Sequence, residues 1–115
     1  MDNNISFGEL LKNLVCASGM TQSEFYSKLK ITKPYYYDIV KSRVKPPPIK
    51  MQCEMLKLLN VSDDKKKLFF QIAGYERNEV PGDIAYFIRS NPQIADKIRE
   101  HVDYVSLLGG KQDEA

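Results

Sequence analysis

Residues 21–42 read TQSEFYSKLKITKPYYYDIVKS, and the way this stretch folds decides how the rest of the chain is read. Thr21 and Glu24 have the spacing of a capping box, in which each side chain takes up an amide that the first helical turn leaves unpaired. A helix is therefore expected through about Leu29, with Phe25 and Leu29 inward. Lys30 and Ile31 form a tight corner, and Thr32 is placed to start another helix ending near Lys41. That helix carries Tyr35, Tyr36 and Tyr37 in succession. Neighbouring helical positions lie about 100° apart, so the three rings cannot all face inward.

Working outward, every other segment also reads as helix or connector. Ser6 and Glu9 make another capping box, and Phe7, Leu10, Leu11, Leu14 and Val15 form one apolar stripe that Gly19 ends. RVKPPPIK (43–50) must be a loop, because its prolines remove donors and fix φ near −65°. Pro48 opens a fourth helix with Ile49, Met55, Leu56 and Leu59 inward and Cys53 nearby, and Asn60 stops it. Val61-Ser62-Asp63-Asp64 caps a fifth helix, KKKLFFQIAG, expected to end at Gly74. Pro81 opens a further helix, and Asn91-Pro92 restarts one expected to run to about Leu107. Residues 1–74 thus form a five-helix head, 75–108 a C-terminal helical extension and 109–115 a flexible tail. The fold class is all-α.

The chain has 115 residues, enough for one modest core with an appendage. Charged residues make up 28% and hydrophobic ones 43%, a globular balance. No apolar run approaches the roughly 18 residues of a membrane span, and MDNNISFGELL lacks the basic start of a signal peptide. A cytoplasmic protein is expected. Cys16 and Cys53 fall in apolar patterns and are expected as reduced, buried thiols, a disulfide requiring that their backbones lie close. With no CxxC pair and His101 as the lone histidine, neither a metal site nor a cofactor is expected. The net charge of +2 is unevenly spread: residues 22–50 hold seven Lys or Arg against two Asp or Glu. A basic surface of this kind suits a polyanion.

The order and tightness of the helices over 21–42 resemble the helix-turn-helix of the phage-repressor and Cro-like (XRE-type) regulators. The similarity covers about residues 6–61. It rests on Thr21-Gln22 opening helix two, Phe25 and Leu29 inward, Ile31 in the turn, Ile39 near the end of helix three and the ending LLNVS. The resemblance implies a sequence-specific DNA-binding transcriptional regulator, a repressor, that lays its third helix in a major groove about 12 Å wide. Carried over position by position, it implies base contacts from Lys33, Pro34, Tyr37 and Asp38. Lys33 would donate to guanine O6 or N7, Asp38 would accept from cytosine N4, and Tyr37 would offer its ring to a thymine methyl and its hydroxyl to a base or phosphate. Tyr36 would pack inward. Thr21, Gln22, Tyr35, Lys41, Arg43, Lys45 and Lys50 would lie along the phosphates. The alternative for the tyrosines is that all three rings pad the core and its edge.

Four residues depart from the family pattern. Tyr26 stands where a small residue is usual, so the packing of helices two and three must adjust. Lys30 and Ser42 stand where glycine is usual, and a left-handed backbone at Lys30 would cost about 1 kcal/mol. Pro34 disfavours α geometry at Lys33 and would make the helix begin a residue later.

The segment VPGDIAYFIRSNPQIADKIREHVDYVSLL resembles the C-terminal extensions of some small repressor-like regulators from mobile elements. It holds more apolar surface than two small helices can hide, and Tyr86, Phe87, Ile88, Ile94, Ile98, Val102 and Val105 are the expected homodimer contacts. The competing reading is a hairpin that covers the head within one chain. At the level of function, the alternative is a protein-binding antirepressor or phage-type inhibitor on the same scaffold, with exposed tyrosines as anchors. An enzyme is not expected: His101 has Glu100 and Asp103 beside it, but no nucleophile, metal set or phosphate loop accompanies it.

Overall fold

The computed structural model describes residues 5–109, which are all helical, with eight helices and no strand. They are α1 (Phe7–Ala17), α2 (Gln22–Leu29), α3 (Lys33–Val40), α4 (Ile49–Leu59), α5 (Asp63–Arg77), α6 (Gly82–Ser90), α7 (Pro92–Arg99) and α8 (Tyr104–Leu107). Among the described residues no helix is long and apolar enough to cross a membrane. The chain divides into two compact units between Asp83 and Ile84. The tail expected over 109–115 lies outside the described residues beyond Gly109.

Local chemistry sets the helix starts in the first unit. Ser6 and Thr21 each make a complete capping box, while Thr32 and Ser62 accept from Tyr35 N and Lys65 N. Left-handed residues close three of the helices: Lys30 at φ 63°, Asn60 at φ 50° and Asn78 at φ 59°. Ser42, just beyond α3, is also left-handed at φ 59°. The strain expected at Lys30 is therefore present, and its amide is used in bonds back to Ser27 and Tyr26. α3 begins at Lys33 with Pro34 in its first turn, so the expected later start does not occur. Thr32 holds the turn by accepting from Tyr35 N at 3.2 Å.

α1 lies at the centre of this unit, packing against α2, α3 and α5. Its stripe meets Phe25, Leu29, Tyr36, Ile39, Met55, Leu56, Leu59, Phe69, Ile72 and Ala73 in one buried cluster. Phe7 and Phe69 join α1 to α5 with ring centroids 4.9 Å apart. Gly8 brings α1 onto the backbone of α3: a Cβ there would overlap the carbonyl oxygen of Val40 and lie 2.7 Å from its carbonyl carbon.

Several expectations are corrected. α5 does not stop at Gly74 but runs to Arg77. Gly74 is needed for space, since a Cβ would stand 2.8 Å from Pro81 Cα. Cys16 and Cys53 are free but exposed. Each lies one position off its helix's buried stripe, and on α4 the inward place belongs to Gln52. Ile49 is also 37% exposed instead of inward.

In the second unit, the helix expected from Pro92 to about Leu107 is broken. α7 ends at Arg99 through tightened i→i−3 bonds from Glu100, His101 and Val102. Asp103 then opens α8 by accepting from Val105 N and Ser106 N. Asn91 does not cap α7 with its side chain; its Nδ2 instead donates to Phe87 O at the end of α6. No residue of α6, α7 or α8 is buried.

Candidate nucleic-acid interface

α3 presents two different sides. Tyr36 and Ile39 face the core and are fully buried, whereas Lys33 and Pro34 are exposed and Tyr35, Tyr37 and Asp38 are half-buried. Lys33, Pro34, Tyr37 and Lys41 share one face, because residues three and four apart on a helix are neighbours. One tyrosine therefore packs inward and two are at the edge.

The ring of Tyr37 is held by its neighbours. It meets Tyr36 edge-on at 5.1 Å and Tyr26 edge-on at 6.4 Å, and Tyr26 in turn lies 5.5 Å from Tyr36. Tyr26 is half-buried and packs against both α3 tyrosines, extending the aromatic edge from α3 onto α2. Phe25 completes the cluster from inside, 6.0 Å from Tyr36. Burial pushes the Tyr36 phenol well above its ordinary pKa, with Tyr37 and Cys16 adding to the effect. Its proton is used: the hydroxyl donates to Gln22 Oε1 at 2.9 Å. Gln22 stands in the first turn of α2, and with its oxygen engaged its Nε2 is left as the donor end. The Thr21 hydroxyl is committed to the cap, accepting from Glu24 N at 3.0 Å.

Asp38 and Arg43, expected in separate roles, are paired. Arg43 Nη1 lies 3.3 Å from Asp38 Oδ1, and Arg43 N donates to Asp38 O at 2.8 Å. The carboxylate is thereby engaged from the loop side. Tyr35, expected along the phosphates, is half-buried and packs against the edge of the core.

Lys41, Arg43, Lys45 and Lys50 are all exposed around the proline loop. Pro46 and Pro47 are buried, and the carbonyl of each is claimed by a side chain from elsewhere in the head. Arg77 Nη1 donates to Pro46 O at 2.8 Å, and Gln52 Nε2 donates to Pro47 O at 2.8 Å. Arg77 is itself fixed by a forked bond to Glu79, at 2.9 Å from Nε and 3.0 Å from Nη2. The hydrogen bond to Glu79 raises the Arg77 pKa, and its counterpart holds the Glu79 carboxyl below the ordinary range. The Gln52 oxygen is buried without a protein partner. An open cleft of about 600 Å³ lies beside the loop, with Arg43, Lys45, Tyr75 and Asn78 on its walls.

Sequence reasoning met Tyr26 only as a departure from the family pattern and missed Gln52, Arg77 and Glu79. Tyr26 could have been found from its ring, one turn before Lys30 on the side that meets α3. Arg77 reaches Pro46 across 31 residues, whereas Gln52 bonds back to Pro47 five residues away and Glu79 pairs with Arg77 two residues away; no motif marks any of the three. The residues expected at a dimer contact belong to the second unit. There Tyr86, Phe87, Ile98 and Val105 are 66%, 53%, 45% and 57% exposed, and Ile88, Ile94 and Val102 are half-buried.

No protein-family model, curated protein or solved structure matches this chain.

Proposed function

We propose that this protein is a sequence-specific DNA-binding transcriptional regulator, acting in the cytoplasm as a repressor that occupies an operator. In this reading α1–α5 form a repressor-like helix-turn-helix head. α2 lies across the DNA backbone, and α3 enters the major groove with Lys33, Pro34 and Tyr37 toward base edges. One observation carries the reading: α3 buries Tyr36 and Ile39 and leaves the opposite side open beside a pinned loop of exposed cations. Gln22 Nε2, Tyr35, Lys41, Arg43, Lys45 and Lys50 are the phosphate contacts, and Thr21 contributes by holding the start of α2. The ion pair shifts Asp38 from reading cytosine to positioning Arg43.

The α6–α8 segment is assigned to a helical hairpin that homodimerises. Helices this short are marginal by themselves, and here they bury no residue of their own. Residues 84–109 carry three basic and three acidic side chains, so a second copy adds no net repulsion. A two-fold dimer would match half-sites about 34 Å apart. No catalytic role is assigned.

Selection of binding duplexes from a random library tests this function. Recovery of a palindrome is the expected result, with log affinity falling against log salt at a slope near −3.6 for about four neutralised phosphates. Failure to retain any duplex at low salt would remove the reading. A second reading, a protein-binding scaffold, is favoured by the ledge of Tyr26 and Tyr37, since tyrosine is a frequent interface anchor. In that case Tyr37→Ala abolishes capture of a protein partner, and Lys45→Glu leaves DNA retention unchanged.

A further inference from the structure

The base-edge groups that α3 can recognise follow from the side chains it leaves available. Adenine is read by paired donors and acceptors from Asn or Gln, and cytosine by a free carboxylate. α3 reads KPYYYDIV and contains no Asn or Gln, and the Asp38 carboxylate is engaged by Arg43 at 3.3 Å. Guanine is read by a cation, and Lys33 supplies one. What remains on the same face is hydrocarbon: the exposed ring of Pro34 and, one turn on, the half-buried ring of Tyr37. The Tyr37 hydroxyl both donates and accepts, so it does not tell one edge from another.

An apolar surface in the major groove has one specific target among the four bases, the C5 methyl of thymine. To discriminate, such a surface must stay in place, and Tyr37 is fixed by edge-on contacts with Tyr36 and Tyr26. Tyr36 is in turn tied to Gln22 at 2.9 Å. Pro34 carries its ring on a backbone that has no χ1 freedom to lose.

Resting on the DNA-binding reading above, we infer that Pro34 and Tyr37 form a thymine-methyl reader, so that the preferred half-site carries adjacent thymines beside a guanine contacted by Lys33. Discrimination at those positions is steric and hydrophobic and does not depend on hydrogen bonds.

The test changes the DNA and leaves the full chain untouched. The duplex recovered by library selection is resynthesised with uracil in place of thymine, which removes methyl groups and preserves pairing and every hydrogen-bonding edge. Loss of one contacted methyl is expected to weaken binding about fourfold, and loss of two about fifteenfold. Restoring 5-bromouracil, whose halogen is close to a methyl group in size, should recover the affinity. Tyr37→Ala and Pro34→Ala should each reduce the thymine-to-uracil affinity ratio about fourfold, and the double variant should bind both duplexes nearly equally. Equal binding of both duplexes by the unaltered chain overturns the methyl reader and leaves DNA binding standing. An unchanged ratio in both variants overturns the assignment to Pro34 and Tyr37. Retention of no duplex at all removes the underlying reading as well.

Discussion

The buried hydroxyl of Tyr36 donates to Gln22 Oε1 at 2.9 Å, so the third helix is bonded by a side chain to the first turn of the second. The bond fixes which end of the Gln22 amide faces outward.

Tyr36→Phe keeps the ring and removes the donor. Urea unfolding should register a loss of about 1 kcal/mol, the net value of a typical internal hydrogen bond. The pH dependence gives a second readout. Burial raises the Tyr36 pKa, so the folded state favours the neutral phenol. That contribution is complete below about pH 10, the unfolded value, and is lost as pH rises toward the folded one. The variant should therefore decline less steeply on the alkaline side; an identical alkaline limb would contradict this account.

Arg77→Met should disorganise the proline loop. It removes the donor to Pro46 O and both bonds to Glu79. Hydrogen bonds from charged groups contribute about 1.5–3 kcal/mol, so chemical denaturation should show a loss in that range. The Glu79 carboxyl, held low by Arg77, supports the fold above its unfolded pKa near 4.3 and ceases to do so as pH falls through its folded value. The variant should lose that part of its acid sensitivity. Salt titrations of duplex binding should also become shallower than for the unaltered chain.

Gly8→Ala adds a single carbon where α1 lies on the Val40 carbonyl. Both colliding groups are backbone, so neither can swing aside, and the cost should reach the upper part of the usual 1–3 kcal/mol range for overpacking. Thermal denaturation would detect it. A melting temperature equal to that of the parent would show that the two helices can separate freely.

Phe87→Ser combined with Val105→Ser tests the second unit. Both side chains are more than half exposed, so the head should keep its stability while the proposed dimer weakens. Sedimentation velocity should shift from dimer toward monomer at micromolar concentration. A monomeric parent, or a dimer indifferent to both changes, would refute the pairing.

What was legible in the sequence is what short-range chemistry decides. Ser6, Thr21, Thr32 and Ser62 announce helix starts because a cap is made with an amide three residues away. Buried Phe25 and Leu29 were readable from helical spacing, whereas the inward place of Tyr36 followed from the resemblance and not from the pattern. Gly74 misled because its usual meaning is a stop, whereas here Pro81 occupies the space a side chain would need. Cys16 and Cys53 misled because an apolar residue type was taken for an inward position one step away from the true stripe. Within the candidate site, the pairing of Asp38 with Arg43 depends on the turn at Ser42, and the Arg77 clamp spans 31 residues to Pro46. Neither has a periodicity to betray it.

The backbone contact at Gly8 has a thermodynamic corollary. Where two helices meet through side chains, rotamer changes let one slide along the other; where they meet through main chain, that adjustment is closed off. A ligand arriving at α3 accordingly encounters a contour already settled, and complex formation should proceed as rigid-body docking. Calorimetry would register this as a heat-capacity change no larger than the contact surface itself accounts for, without the added increment that accompanies folding upon association.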